Sequence, residues 1–174
     1  VAGFGFTLCR RELLEASEGR ARTLSLDLTA QWHGLEGNGQ FRFTPPTHAL
    51  LAFAQALREL EGEGGIPARA ARYRANHDAC VSGMRAMGFT EYVPENLQGH
   101  IITSFLYPTA DFDFDDFYNR LNEKGFVIYP GKVSNAECFR IGTIGNVFPE
   151  DIDLLIQEIG NVASEMGIEN FGRA

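Results

Sequence analysis

Two short stretches of the sequence carry residues suited to binding an anion. In the first, residues 41–48, two prolines hold the chain extended and present Thr44 at a fixed point just before a predicted helix. Backbone N–H groups and a hydroxyl at such a turn suit a phosphate. The alternative interpretation is an ordinary turn in which Thr47 caps the helix.

The second stretch, residues 138–142, is an apolar strand that contains one arginine. Alternation along the strand places Arg140 on the face opposite Phe139 and Ile141. A guanidinium in such a strand costs free energy unless it meets an anion, and its planar fork matches a carboxylate or phosphonate at two points. The alternative is a structural ion pair with an acidic neighbour.

Other polar residues lack the spacing of a known site. His48 stands alone at a predicted helix start, which is typical of a cap or a surface residue. The acidic run at residues 111–116 lacks the glycine and the final glutamate of an EF-hand, so we interpret it as a helix cap. No metal site is predicted, because the three other histidines have no metal-ligand spacing: His33, His77 and His100.

Composition and charge exclude some classes of function. The chain has 174 residues, of which 44% are hydrophobic, enough for one domain or a domain and a fraction. Its formal net charge of −8 argues against a nucleic-acid partner, since phosphate backbones demand clustered Lys and Arg. The cluster Arg69, Arg72 and Arg74 is interpreted as a solvated helix face, and the residues around Glu61 and Glu63 as a solvated helix end.

The cysteines indicate the compartment. Cys9, Cys80 and Cys138 are odd in number and lack metal-like spacing, so neither a disulfide framework nor a zinc site is expected. A reducing cytoplasm is the predicted location. No apolar run approaches the length of a membrane-spanning helix, so no membrane partner is predicted. The start at Val1, without an initiator methionine, suggests a piece of a longer protein.

Hydrophobic spacing predicts the elements that position the first stretch. Residues 4–9 are expected to form a buried strand and residues 11–17 a short helix, whereas residues 21–39 fit both strand and helix patterns. A helix is predicted directly after the two prolines. A second, long helix is predicted from Pro67 to about Met87.

The second stretch belongs to a predicted α+β unit that begins at about residue 89. Strands are expected at residues 101–107, 126–129 and 137–143. Helices are expected to begin at Asp113, as a cap, and at Pro149. The pattern indicates strands covered by helices on one face.

Three sequence blocks resemble those of a known enzyme family in order and spacing. They are Arg-Phe-Thr-Pro-Pro-Thr-His at 42–48, Gly-Phe-Val-Ile-Tyr-Pro-Gly-Lys at 125–132 and Phe-Arg-Ile-Gly-Thr-Ile-Gly at 139–145. From Gly3 to about Met166 the chain is similar to the 2-aminoethylphosphonate–pyruvate aminotransferases. These are pyridoxal 5'-phosphate (PLP) enzymes of fold type I, class V, in the branch that also holds alanine–glyoxylate and phosphoserine aminotransferases.

The resemblance implies a fold and a domain division. The expected fold class is α/β with an α+β small domain, as in the C-terminal part of a fold type I aminotransferase. Residues 1–66 would be the end of the PLP-binding large domain and residues 67–88 a linking helix. Residues 89–174 would form the small domain.

The resemblance also implies site residues, a cofactor and partners. Thr44 matches the threonine that contacts the PLP phosphate of the neighbouring subunit, so a homodimer with a shared active site is expected. Arg140 matches the substrate-binding arginine, and Arg42 is expected to pair with an acidic group near the subunit interface. The implied reaction transfers the amino group of 2-aminoethylphosphonate to pyruvate, which gives phosphonoacetaldehyde and L-alanine, in phosphonate catabolism.

One feature of the family has no match in the sequence. The lysine that binds PLP covalently precedes the block at residues 3–6, so it is expected upstream of Val1. Neither Lys124 nor Lys132 matches it, so no catalytic residue is assigned and the chain alone is not expected to transaminate. The alternatives are an alanine–glyoxylate or serine–pyruvate type aminotransferase, or a non-catalytic C-terminal module that dimerises.

Overall fold

The computed structural model describes residues 3–131 and 136–168. The chain divides into two compact units, Val1–Gly62 and Glu63–Ala174. This division falls close to the predicted start of the long helix. The predicted domain boundaries after residues 66 and 88 stay a prediction.

The described residues of the first unit form three helices: α1 (Arg11–Glu15), α2 (Leu28–Asn38) and α3 (Thr47–Gly62). Helix α2 begins after Asp27, whose carboxylate accepts a hydrogen bond from the Ala30 N–H at 3.0 Å. It ends at Gly39, which adopts a left-handed conformation with φ 72°. For residues 28–38, the helical option of the mixed pattern is therefore the one that forms.

The predicted strand at residues 4–9 is wrong. These residues form neither helix nor strand, and Phe6 and Leu8 are 73% and 91% exposed. A strand needs a neighbour that takes its backbone hydrogen bonds and covers its side chains. Within the described residues, no strand pairs with this segment.

In the second unit, residues 63–131 and 136–168 form three α-helices and a three-stranded sheet. The long predicted helix is confirmed and ends at Gly88 with φ 100°. Asp113 caps the next helix by accepting from the Asp116 N–H at 3.0 Å, as predicted. The elements are α4 (Gly65–Met87), β1 (Ile102–Leu106), α5 (Phe114–Glu123), β2 (Tyr129–Pro130), β3 (Cys138–Gly142) and α6 (Pro149–Glu165), with a 3₁₀ turn at Glu95–Leu97.

The sheet is antiparallel in the order β1-β3-β2, so β3 is its central strand. Thr103 pairs with Ile141 and Phe105 with Phe139, and all four side chains are buried. The core next to this face comes from α4, α5 and α6, which confirms the prediction of helices on one face. Its members from the helices include Cys80, Met84, Phe117, Leu121, Ile152, Ile159 and Val162.

The predicted strand at residues 126–129 is mostly wrong. Only Tyr129 and Pro130 pair with β3. The Phe126 N–H instead donates to the Leu121 carbonyl at 2.9 Å, and Gly125 has φ 90°. This closes α5 and uses the donor that a longer strand would need.

Arg72 and Glu63 are not solvated, which corrects the prediction for both. The Arg72 Nε donates to Glu63 at 2.6 Å, and its Nη1 donates to the carbonyls of Gly145 at 2.8 Å and Val147 at 2.6 Å. The Arg72 side chain is only 13% exposed. Hydrogen bonding by Arg72, together with Arg69, lowers the pKa of Glu63 to about 2. The sequence pattern missed this because Glu63 lies outside the i+3 and i+4 spacing at which helix residues meet, and Gly145 and Val147 lie far along the chain from Arg72.

Asn76, one turn after Arg72, holds the same connection between β3 and α6. Its Nδ2 donates to the carbonyls of Thr143 at 3.1 Å and Val147 at 2.9 Å. Asn76 and Thr143 are fully buried. These bonds fix the end of β3 against α4.

None of the helices in the described parts of the chain is long and apolar enough to cross a membrane.

Candidate functional site

Thr44 lies in the first unit, in the segment between α2 and α3. The Thr47 N–H donates to the Pro45 carbonyl at 2.9 Å and the Leu50 N–H to the Pro46 carbonyl at 3.1 Å, which starts α3 at the predicted place. Residues 39–45 line an open depression of about 680 Å³. Thr44 is exposed, and its hydroxyl has no hydrogen-bond partner among the described residues. The group is therefore available to an anionic ligand.

Arg42 holds this segment against α2. Its backbone N–H donates to the Gln31 side chain at 3.2 Å, and its guanidinium forms an ion pair with Asp27 at 3.5 Å. Arg42 thus has an acidic partner, Asp27, in the same unit, and its place near a subunit interface stays a prediction. Arg42 thereby positions the segment that carries Thr44.

Arg140 lies in the second unit, in the middle of the central strand β3. Its cross-strand neighbours are Ser104 of β1 and Tyr129 of β2. The Arg140 Nε donates to the Pro130 carbonyl at 3.0 Å. It forms no ion pair with any carboxylate of the described residues, so the alternative of a structural ion pair is not found there.

The surroundings of Arg140 suit an anion. Its Nη1 and Nη2 atoms have no hydrogen-bond partner among residues 3–131 and 136–168, and the side chain is half-buried. Ser104 and Tyr129 add hydroxyl groups on the neighbouring strands. A half-buried guanidinium with free donors binds a carboxylate or phosphonate by charge-assisted hydrogen bonds.

The remaining candidates do not add to either position. The Lys124 ammonium forms ion pairs with Glu158 at 3.0 Å and Glu165 at 3.5 Å, and these contacts raise its pKa. Lys124 is therefore a structural residue. Lys132 lies outside the described residues. His48 is exposed, as predicted.

One contact of Arg140 could not be predicted from the sequence. The partner of its Nε is a main-chain carbonyl, and every residue has one. The one available signal was the pair Pro130 and Gly131 in the block at residues 125–132, because prolines and glycines restrict or free the backbone. Thr44 and Arg140 belong to different units.

Curated relatives match nearly the whole chain. A protein of Phocaeicola vulgatus is 54% identical over 164 residues, or 94% of this chain and 45% of its own length. One of Vibrio vulnificus is 56% identical over 91% of this chain, and one of Syntrophobacter fumaroxidans is 53% identical over 96%. All three are named 2-aminoethylphosphonate–pyruvate transaminase. The chain spans about half the length of these relatives, and no family model matches it.

Solved structures share the fold. Ureidoglycine–glyoxylate aminotransferase from Bacillus subtilis superposes with a TM-score of 0.74 at 20% identity, over 91% of this chain and 41% of its own. Alanine–glyoxylate aminotransferase from Nostoc sp. gives 0.74 at 22% identity, over 90% of this chain and 42% of its own. The predicted fold class, part of a fold type I aminotransferase, is confirmed.

Proposed function

This chain is homologous over nine tenths of its length to the 2-aminoethylphosphonate–pyruvate transaminases, and on that premise we propose that the protein containing it catalyses the same transfer. The amino group of 2-aminoethylphosphonate would pass to pyruvate, which gives phosphonoacetaldehyde and L-alanine. The observation that carries the proposal is the 54% identity over 164 of the 174 residues. The aligned span contains positions 44 and 140.

Arg140 would hold the anionic end of the substrate. Both substrates carry an anion, a phosphonate on the amino donor and a carboxylate on pyruvate. The free Nη atoms of Arg140 can donate to two oxygens of either group. One arginine would then serve both halves of the reaction, because the two substrates bind in turn.

Thr44 would contribute to cofactor binding. Its exposed hydroxyl, without a partner among the described residues, fits a phosphate oxygen, and the depression at residues 39–45 leaves room for one. PLP, when bound, supplies the electron sink for chemistry at the amino-bearing carbon. The role of Thr44 would be to orient the phosphate end.

We extend the proposal to a homodimer in which Thr44 serves the neighbouring subunit's cofactor. The first unit carries large apolar side chains at its surface, such as Leu51 at 68% and Phe43 at 49% exposure, and exposed apolar surface is typical of an interaction site.

We also propose a cytoplasmic location, because the cysteines are free: Cys9, Cys80 and Cys138.

The test is an alanine-formation assay on the whole protein with PLP, 2-aminoethylphosphonate and pyruvate. Arg140→Ala should lower kcat/KM about a hundredfold, because a charge-assisted two-point contact is lost. Arg140→Lys keeps the charge without the fork and should fall between Ala and wild type. Arg74→Ala, on an exposed helix face of the second unit, is the control and should leave kcat/KM unchanged.

Two results would contradict the proposal. Wild-type protein that forms no alanine from these substrates would exclude the reaction. Faster turnover with glyoxylate and alanine, or with serine, than with the phosphonate would favour the alternative aminotransferases.

A further inference from the structure

The short segment Tyr129–Gly131 lies beside Arg140 and binds its Nε, a contact that the proposed transaminase function does not require. Pro130 offers its carbonyl to the Arg140 Nε at 3.0 Å. A guanidinium can grip an oxyanion side-on, through Nε and one Nη, or end-on, through its two Nη atoms. With Nε already bonded to Pro130, only the end-on fork is free.

Gly131 keeps this carbonyl in place. Its N–H donates to the Cys138 carbonyl at 2.9 Å, which ties the segment to the start of β3. A Cβ on residue 131 would overlap the Cys138 carbonyl oxygen and sulfur. Cys138 lies on the same face of β3 as Arg140. It is nevertheless only 3% exposed, because Gly131 packs closely against it. A residue without a side chain is therefore required here.

Tyr129 completes the arrangement on the other side of Arg140. A Cβ built on Gly142, the next residue of β3 on this face, would lie 3.6 Å from the Tyr129 ring. Tyr129 is also the direct cross-strand neighbour of Arg140. The ring thus lies over β3 on the Gly142 side of Arg140, next to a residue that leaves space for it.

We propose that Pro130 and Gly131 are positioning residues that aim Arg140, so that its Nη1 and Nη2 receive the substrate anion end-on. The nature of the ligand rests on the proposed function, whereas the orientation of Arg140 does not. The segment acts through Arg140 and does not itself touch the substrate.

The test measures hydrogen exchange at arginine side chains by NMR in the whole protein, without substrate. The resonance of the Arg140 Nε–H is identified by its loss in Arg140→Lys. Its exchange should be about tenfold slower than that of the exposed Arg74, as one hydrogen bond of this kind provides. When 2-aminoethylphosphonate is added, the Nη signals of Arg140 should shift and the Nε–H should remain slow.

Gly131→Ala tests the contact itself, with Gly99→Ala as its matched control, because a Cβ at Gly99 meets nothing within 4 Å. Gly131→Ala should abolish the slow exchange and raise KM for both substrates about five- to tenfold, with a smaller change in kcat. A merely structural role would lower the amount of active protein and leave KM unchanged. Gly99→Ala should match wild type in both measurements.

An Arg140 Nε–H that exchanges as fast as that of Arg74, or that shifts together with the Nη signals, would overturn the inference. So would a Gly131→Ala protein that keeps the slow exchange and the wild-type KM. The exchange measurement on the wild type stands even if the Gly131→Ala protein does not fold. A wild type that makes no alanine contradicts the proposed function, but the exchange rate of Arg140 Nε–H still decides the positioning.

Discussion

The two units of the chain differ in where their apolar side chains lie. In the second unit Phe105, Phe117 and Phe139 have no exposed surface, and every buried apolar residue of the described chain belongs to this unit. In the first unit Phe6 is 73% exposed and Leu51 68%, and α3 has no buried residue.

The two units are therefore stabilised in different ways. The second unit buries its own core between one face of the sheet and the helices, so its hydrophobic stabilisation is internal. The first unit relies on local helix formation and turns, and short helices without a packed face are marginal in water. Its apolar surface gains stability only when something covers it. Of the two proposed anion contacts, Arg140 therefore lies in a unit with a packed core of its own, and Thr44 lies in a unit without one.

The largest predicted effect tests the core of the second unit. Phe139→Ala should lower the free energy of unfolding by about 3–5 kcal/mol, because a fully buried ring is replaced by a cavity. The ring lies 5.6 Å from that of Phe117 and 5.9 Å from that of Phe105, measured between centroids. Urea denaturation followed by circular dichroism measures the loss.

Phe6→Ala, in the first unit, is the matched control for Phe139→Ala. It should cost less than about 0.5 kcal/mol, as surface substitutions do. An equal loss from both substitutions would show that the first unit buries Phe6 in solution and would break the comparison.

A smaller effect is expected at Arg72, which joins α4 to the connection after β3. Arg72→Met should lower the free energy of unfolding by about 1–3 kcal/mol, since Glu63 and two carbonyls lose their donor in a site with little exposure. Arg58→Ala, in the first unit, should have almost no effect because Arg58 bonds only to Gln55 at the surface. The same denaturation experiment compares them, and equal losses would argue against a structural role for Arg72.

The smallest effect is a pH dependence from His77. The ring is 6% exposed, with its Nδ1 3.2 Å from the Thr103 hydroxyl and its centroid 5.2 Å from that of His100. Burial, and then the nearby His100, lower the pKa of His77 below the ordinary 6.5. The unfolded chain therefore binds the proton first, so stability is present above pH 6.5 and falls as the pH drops below that value.

Thermal unfolding between pH 7.5 and 5 measures this dependence. His77→Gln should flatten the curve in that range, and the exposed His48→Gln should leave it unchanged. A wild-type curve that His77→Gln does not alter would assign the pH dependence to other groups.

Local sequence signals predicted much of the second unit. Asp113 as a cap and Gly88 as a stop act within a few residues, so that helix boundaries there could be inferred. The face of Arg140 followed from strand alternation alone. The prediction of a strand at residues 4–9 was wrong because an apolar pattern leads to a buried strand only if a neighbouring strand pairs with it.

The candidate site was predictable only in part. The sequence indicated Thr44 and Arg140 through their residue types and through the resemblance of their blocks to those of a family. The sequence could not indicate that the Pro130 carbonyl takes the Arg140 Nε, because a carbonyl has no residue signature. Nor could it separate Arg72, which is held in place, from Arg74, which is exposed.

The sequence by itself determined most of the helices, where they begin and end, and which side chains share a face, but it left residues 28–38 open between helix and strand. These properties follow from spacing, caps and backbone preferences, which act within a few residues. Only the tertiary structure decided which apolar faces are covered, what partners Arg72 finds and which way the Arg140 fork points. Those outcomes depend on groups far apart in the chain, such as Arg72 and Val147, that meet only after the chain has folded.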